Sequence, residues 1–116
     1  AETVRKGKIV EEFLASHLQL VDPNLTFRGL GPMWGIDFAA YPSGTSQRIR
    51  QLCFENGLII ELSGKEDTVV KIMPALTIED ELLMKGLEIV HKAVVQAVAE
   101  SGMIRVPQSS MVKQAV

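Results

Sequence analysis

The 116-residue chain has a single cysteine, Cys53, so it cannot close a disulfide on itself; this is consistent with a reducing compartment. Aromatic residues make up only 5% of it, which leaves the core to aliphatic side chains. No apolar run approaches the roughly 18 residues that span a bilayer, and no secretory pattern opens the sequence. The 12 Lys and Arg are set against 14 Asp and Glu, a formal charge of −2. There is thus no basic excess for nucleic acid and no basic amphipathic face for a membrane. The expectation is a protein of the cytoplasm with neither kind of partner.

Chemical motifs are equally scarce. His17 and His91 fall on different helical segments, with no Cys or carboxylate at metal-ligand spacing, so they read as helix-face residues and no metal site is expected. No Gly-x-Ser-x-Gly elbow is present, and Ser63-Gly64-Lys65 lacks the upstream glycine of a phosphate loop. The glycines of Gly29-Leu30-Gly31-Pro32-Met33-Trp34-Gly35 lead into a strand, whereas a dinucleotide loop opens a helix. Pro32 also removes a backbone donor. The segment is expected to be a structural turn; its alternative is a turn with Met33 and Trp34 at the rim of a ligand site. Cys53 is expected in the core, and Glu79 to Glu81 at a helix start.

The pattern that is present is that of one small globular domain, 47% hydrophobic and 22% charged. Val10, Phe13, Leu14, His17 or Leu18, and Val21 recur at helical spacing and predict a helix over about Glu2 to Leu20, ended by Asp22-Pro23-Asn24. Ala1 already stands inside that pattern with no cap before it, which suits either a processed start or a piece of a longer protein. Leu25 to Leu30 reads as a short strand. The alternation of Trp34, Ile36 and Phe38 gives a second strand, and so short a link between the two predicts antiparallel pairing. A helix follows from about Thr45 to Glu55, closed by Asn56-Gly57. Strands over Leu58 to Leu62 and Thr68 to Met73 flank a polar loop. A last helix begins near Thr77, with Thr77 and Asp80 approximating a capping box, and carries an apolar stripe to Val98. The expected fold is therefore two-layer α/β (α+β), order αββαββα, with three helices on one face of a small, mainly antiparallel sheet of about four strands. The domain is expected over residues 1–101 and a loose tail over 102–116.

Lys71 is the one cation inside the β run Thr68 to Met73. With Val70 and Ile72 turned to the helices, it points out of an open sheet face that also carries Val69 and needs a covering partner. An edge-strand charge that blunts aggregation is one reading; a cation aimed at an anionic ligand is the other. On these features the chain could be a free-standing small-anion-binding or regulatory α/β domain, or a module that pairs through its open face.

Three segments, in order, carry a resemblance. Val69-Val70-Lys71-Ile72-Met73-Pro74-Ala75-Leu76-Thr77-Ile78-Glu79-Asp80-Glu81 resembles the closing segment of class III pyridoxal-phosphate aminotransferases. Phe27-Arg28-Gly29-Leu30-Gly31-Pro32-Met33-Trp34-Gly35-Ile36-Asp37 resembles that family's Arg-Gly-x-Gly hairpin. Cys53-Phe54-Glu55-Asn56-Gly57-Leu58-Ile59-Ile60 resembles its helix and Gly-Leu-Ile element. Together they cover about Val4 to Val98. The resemblance implies the small C-terminal domain of a fold-type I aminotransferase, packed on a large cofactor-binding domain of the same chain in a dimer or higher oligomer. It implies pyridoxal phosphate as cofactor, held by a lysine outside this segment, so no catalytic or cofactor-binding residue is expected within it. At the position of Lys71 the family commonly has arginine, which binds substrate carboxylate. Lysine offers a mobile point charge in place of a planar two-point grip. Among the family's branches the segment looks most like that of the ectoine pathway. This implies small amino and keto acid substrates: 2,4-diaminobutyrate or aspartate semialdehyde on one side, glutamate or 2-oxoglutarate on the other.

Overall fold

The computed structural model describes residues 2–30, 33–73 and 78–102. Helix α1 (Glu2–Val21) is followed by strands β1 (Thr26–Leu30) and β2 (Met33–Asp37), and then by helix α2 (Thr45–Glu55). Strands β3 (Glu61–Ser63) and β4 (Val69–Ile72) flank a single 3-10 turn at Lys65–Asp67, and helix α3 (Asp80–Ser101) closes the order. The four strands form one antiparallel sheet in the order β1-β2-β4-β3. Helix α1 lies against β1 and β2, α2 against β3 and β4, and α3 packs on both helices. The two-layer αββαββα arrangement is the one the hydrophobic pattern predicts.

Register decides which side chains meet. Phe27, Ile36, Val70 and Leu62 stand opposite one another across the strands, as do Gly29, Trp34 and Ile72. These two rows face the helices, because side chains alternate across a strand and Ile36, Val70 and Ile72 are buried. From the helices come Val10, Leu14 and Leu18 of α1, Ile49 and Cys53 of α2, and Leu87, Val94 and Val98 of α3, all buried. Burial among these aliphatic groups pushes the Cys53 thiol up to about 11, so it stays protonated and inert. Gly29 is what seats the only tryptophan: a Cβ there would lie 3.1 Å from Cη2 of the Trp34 ring. The flat backbone of β1 thus accepts the indole.

Three sequence expectations shift. The third strand, expected over Leu58 to Leu62, is confined to Glu61–Ser63. Its ladder with β4 runs from the Glu61–Lys71 pair to the Ser63–Val69 pair, and beyond Ile72 the sequence turns to Pro74, which has no N–H to offer. The last helix starts at Asp80, with Glu79 as an N-cap whose side chain makes no cap bond. Asp80 is unavailable for a capping box because its carboxylate accepts two bonds from the Arg5 guanidinium, at 2.7 and 3.1 Å; Thr77 lies outside the described residues. The polar loop is partly ordered as the Lys65–Asp67 turn, with Glu66 and Asp67 at positive φ. At its far end α3 closes on Gly102 in the left-handed conformation; the expected tail beyond it lies outside the described residues.

Exposed ion pairs clip the helices together. Arg5 joins α1 to the start of α3, and Arg48 of α2 reaches Glu100 near the end of α3 at 2.8 Å. The hydrogen bond from Arg48, with one from Gln96, holds the Glu100 carboxyl down to about 2. Such exposed pairs fix orientation more than they stabilise.

Candidate functional site

Lys71 does not sit on an edge. Strand β4 lies between β2 and β3, so Lys71 is an interior-strand lysine flanked by Gly35 on one side and Glu61 on the other. The edge-strand reading is therefore overturned; β1 and β3 are the edges. As the alternation predicts, Lys71 projects from the face opposite Val70 and Ile72. That face also presents Arg28, Met33, Gly35 and Asp37.

The Lys71 ammonium lies 3.4 Å from Oε2 of Glu61. Its side chain is 23% exposed and that of Glu61 is 72% exposed. This is a long, loosely held pair, of the kind that contributes about 0–1 kcal/mol and separates readily. Beside it, a cleft of about 180 Å³ runs from the sheet to α3, lined by Leu58, Ile60, Met73, Leu82 and Leu87 among others, with Lys71 its only charged residue among the described ones. A second hollow of about 140 Å³ adjoins it, lined by Ile59, Ile60, Glu61, Lys71 and Met73. Lys71 thus lines both. Ile59, Met73 and Leu82 are large apolar side chains left exposed around the opening, a concentration that marks a surface meant to be covered. Chemically, the arrangement is a cation with a weak counter-ion at the mouth of an apolar recess. It can hold a small carboxylate whose carbon chain lies on Ile59 and Met73.

The structure separates the other two sequence candidates. Met33 shares the open face with Lys71, two residues along β2 from Gly35. Trp34 stands on the helix-covered face, over Gly29, and a methyl on Gly7 of α1 would come within 3.9 Å of its Nε1; its indole is packed between sheet and helix. Glu61 is the site residue that sequence reasoning did not find. The signal was available, since antiparallel pairing of the two short strands around the Ser63-to-Asp67 loop sets Glu61 opposite Lys71.

The two histidines, read as separate helix-face residues, meet where α1 packs on α3. The His17 ring stacks on Phe13 at 3.8 Å, and His91 stands edge-on to His17 at 4.9 Å. His17 Nδ1 lies 2.8 Å from the Phe13 carbonyl oxygen and 2.9 Å from Ser16 Oγ. Burial first, and then the nearby His17, lower the pKa of His91 below 6.5. A base held neutral by folding contributes its full stability above the unfolded value near 6.5, and that contribution is lost as the pH falls from there through the lowered folded value. Thermal midpoints measured from pH 8 to pH 5 should accordingly fall more steeply for the native protein than for His91→Gln; parallel curves would remove His91 from the acid response. Among the described residues no group of three or more His, Cys, Asp or Glu could hold a metal ion. No helix there is long and apolar enough to cross a membrane.

Residues 2–94 match the family model described as aminotransferase class-III. A diaminobutyrate–2-oxoglutarate transaminase of Bordetella parapertussis is 42% identical over 101 residues, which is 85% of this chain and 23% of that protein. The N-acetylornithine aminotransferase of Stenotrophomonas maltophilia superposes with a TM-score of 0.72 at 24% identity, over 86% of this chain and 27% of that one. The PMP-bound form of an aminotransferase from Vibrio fluvialis gives 0.71 at 23% identity, over 86% of this chain and 23% of the other. The chain thus spans about a quarter of the length of these proteins.

Proposed function

This chain belongs to the class III aminotransferases, and from that premise we propose that it is the small domain of an enzyme that moves an amino group between a diamino acid and 2-oxoglutarate. The diamino acid is 2,4-diaminobutyrate, formed from aspartate semialdehyde, a reaction of ectoine biosynthesis. The observation that carries this reading is Lys71, an interior-strand cation at the mouth of an apolar recess, at the position the family resemblance gives to a carboxylate-binding residue. The 42% identity to a diaminobutyrate–2-oxoglutarate transaminase supports the choice of substrate. A free-standing anion-binding or regulatory domain is not favoured, since the family match runs over residues 2–94.

Class III aminotransferases use pyridoxal phosphate, which supplies the electron sink for amino transfer. The described residues do not form a cradle for it. The recess is almost wholly apolar, and its only cation, Lys71, stands against Glu61. On this reading the attachment lysine and the phosphate site belong to the large domain of the parent enzyme. That domain covers the open sheet face and the exposed Ile59, Met73 and Leu82, and the assembled enzyme is a homo-oligomer. The part of this domain in the reaction is to bind and orient. Lys71 holds a substrate carboxylate, Met33 borders the same face, and Ile59 and Met73 exclude water from the carbon chain.

The test is direct. The full-length enzyme, purified with pyridoxal phosphate and given 2,4-diaminobutyrate and 2-oxoglutarate, is expected to produce glutamate faster than with ornithine or 4-aminobutyrate as donor. Glutamate formation from another donor and none from 2,4-diaminobutyrate would overturn the substrate assignment.

A further inference from the structure

We propose that Arg28 is a docking residue: the surface that covers the open sheet face brings a carboxylate to it. This rests on the aminotransferase reading above, in which that surface is the large domain of the parent enzyme, and adds what the large domain carries opposite β1. The register sets Arg28 across from Gly35, in the row that continues to Lys71 and Glu61. Asp37 stands on the same face, one diagonal step from Arg28. Of these charged side chains all but Arg28 have partners inside the domain. Glu61 and Lys71 pair with each other, and the Asp37 carboxylate accepts the Ala39 N–H at 2.8 Å. Arg28 is exposed and, among the described residues, makes no hydrogen bond or ion pair. Its cross-strand neighbour, Gly35, has no side chain to offer it.

Covering the face takes Arg28 out of water. A lysine so placed can give up its proton, but a guanidinium stays charged at any working pH. Without a counter-charge it opposes burial strongly. A carboxylate that meets its planar fork through two parallel N–H···O bonds removes that penalty and fixes how the two surfaces are aligned. Charge complementarity thus selects an acidic group on the large domain opposite β1. Because β1 is an edge strand, the rival role for Arg28 is a guard against pairing with another chain. The two roles differ in their dependence on sign: a guard works with either charge, a docking cation with one.

Limited proteolysis of the full-length enzyme, purified with pyridoxal phosphate, tests this. Arg28→Glu should speed cleavage between the two domains about tenfold or more and lower the thermal midpoint. Lys92→Glu, the same reversal at an exposed position on α3, should leave both at native values. Arg28→Gln should move both in the same direction by less, and it carries the test if the glutamate variant does not fold; Arg28→Lys should stay nearest to native. If every Arg28 variant matches native, no carboxylate meets Arg28 and the proposal fails. It fails also if the Km of one substrate rises while cleavage is unchanged, since Arg28 then faces substrate. Aggregation of Arg28→Gln but not of Arg28→Glu makes it an edge guard and overturns the proposal as well. Native transamination leaves the aminotransferase reading standing in each of these cases. A native enzyme with no transaminase activity on any donor sinks that reading, and the docking proposal with it.

Discussion

Phe38→Ala is expected to destabilise the domain by about 3–5 kcal/mol, the range for removing a fully buried aromatic ring. Phe38 is the largest of the fully enclosed side chains, at 2% exposure. It follows directly on β2, and its N–H donates to the Thr68 carbonyl at 2.8 Å, tying the end of β2 to the approach to β4. The ring stands edge-on to Tyr41, with centroids 5.4 Å apart. Tyr41 in turn donates to the Asp22 carboxylate just after α1; burial, and then this bond, raise its phenol above the ordinary range. Losing the ring leaves a cavity and also frees Tyr41, so the cost belongs in the upper half of the range. Phe38→Leu fills most of the volume and should recover most of the loss. The readout is the thermal transition of the full-length enzyme. An alanine variant within about 1 kcal/mol of native would mean that the ring is not the keystone its burial implies.

The parts of this fold that were legible in the sequence are those set by local periodicity. The stripe of Val10, Phe13, Leu14 and Leu18 needs only its own spacing to declare a helix, and the helix over Thr45 to Glu55 was bounded by glycines on both sides. The strand pattern around Lys71 even gave its facing. What stayed hidden depended on pairing between distant segments. Lys71 belongs to an interior strand because β4 inserts beside β2, a choice of sheet order that no local pattern encodes. Trp34 alternates correctly, yet its role followed from Gly29 across the hairpin and Gly7 on another helix. The start of α3 falls at Asp80, whose carboxylate accepts from Arg5, 75 positions away. His17 and His91 were each read correctly as helix-face residues, and only the crossing of α1 and α3 makes them neighbours. The candidate site was therefore half legible: the cation stood out by its strand context, and its counter-ion required the register.

Lys71→Met in the full-length enzyme is expected to lower kcat/Km by about 10- to 100-fold for both 2,4-diaminobutyrate and glutamate. A hydrogen bond to a charged group is worth about 1.5–3 kcal/mol, and each 1.4 kcal/mol is a factor of ten. Methionine keeps the length and apolar stem of lysine and removes only the charge, so the recess lined by Ile59 and Met73 stays filled. The loss should therefore appear in kinetics with little change in thermal stability. The absorption of the bound cofactor should be unaltered, since Lys71 is assigned to the substrate and not to the cofactor. Both substrates carry a carboxylate, so both should suffer. Lys71→Arg restores a cation with a planar two-point grip and should return activity to within a few-fold of native. Unchanged kinetics in Lys71→Met for every substrate would remove Lys71 from the site. The proposed orientation of substrate across the open sheet face would go with it, because among the described residues no other cation lines that recess.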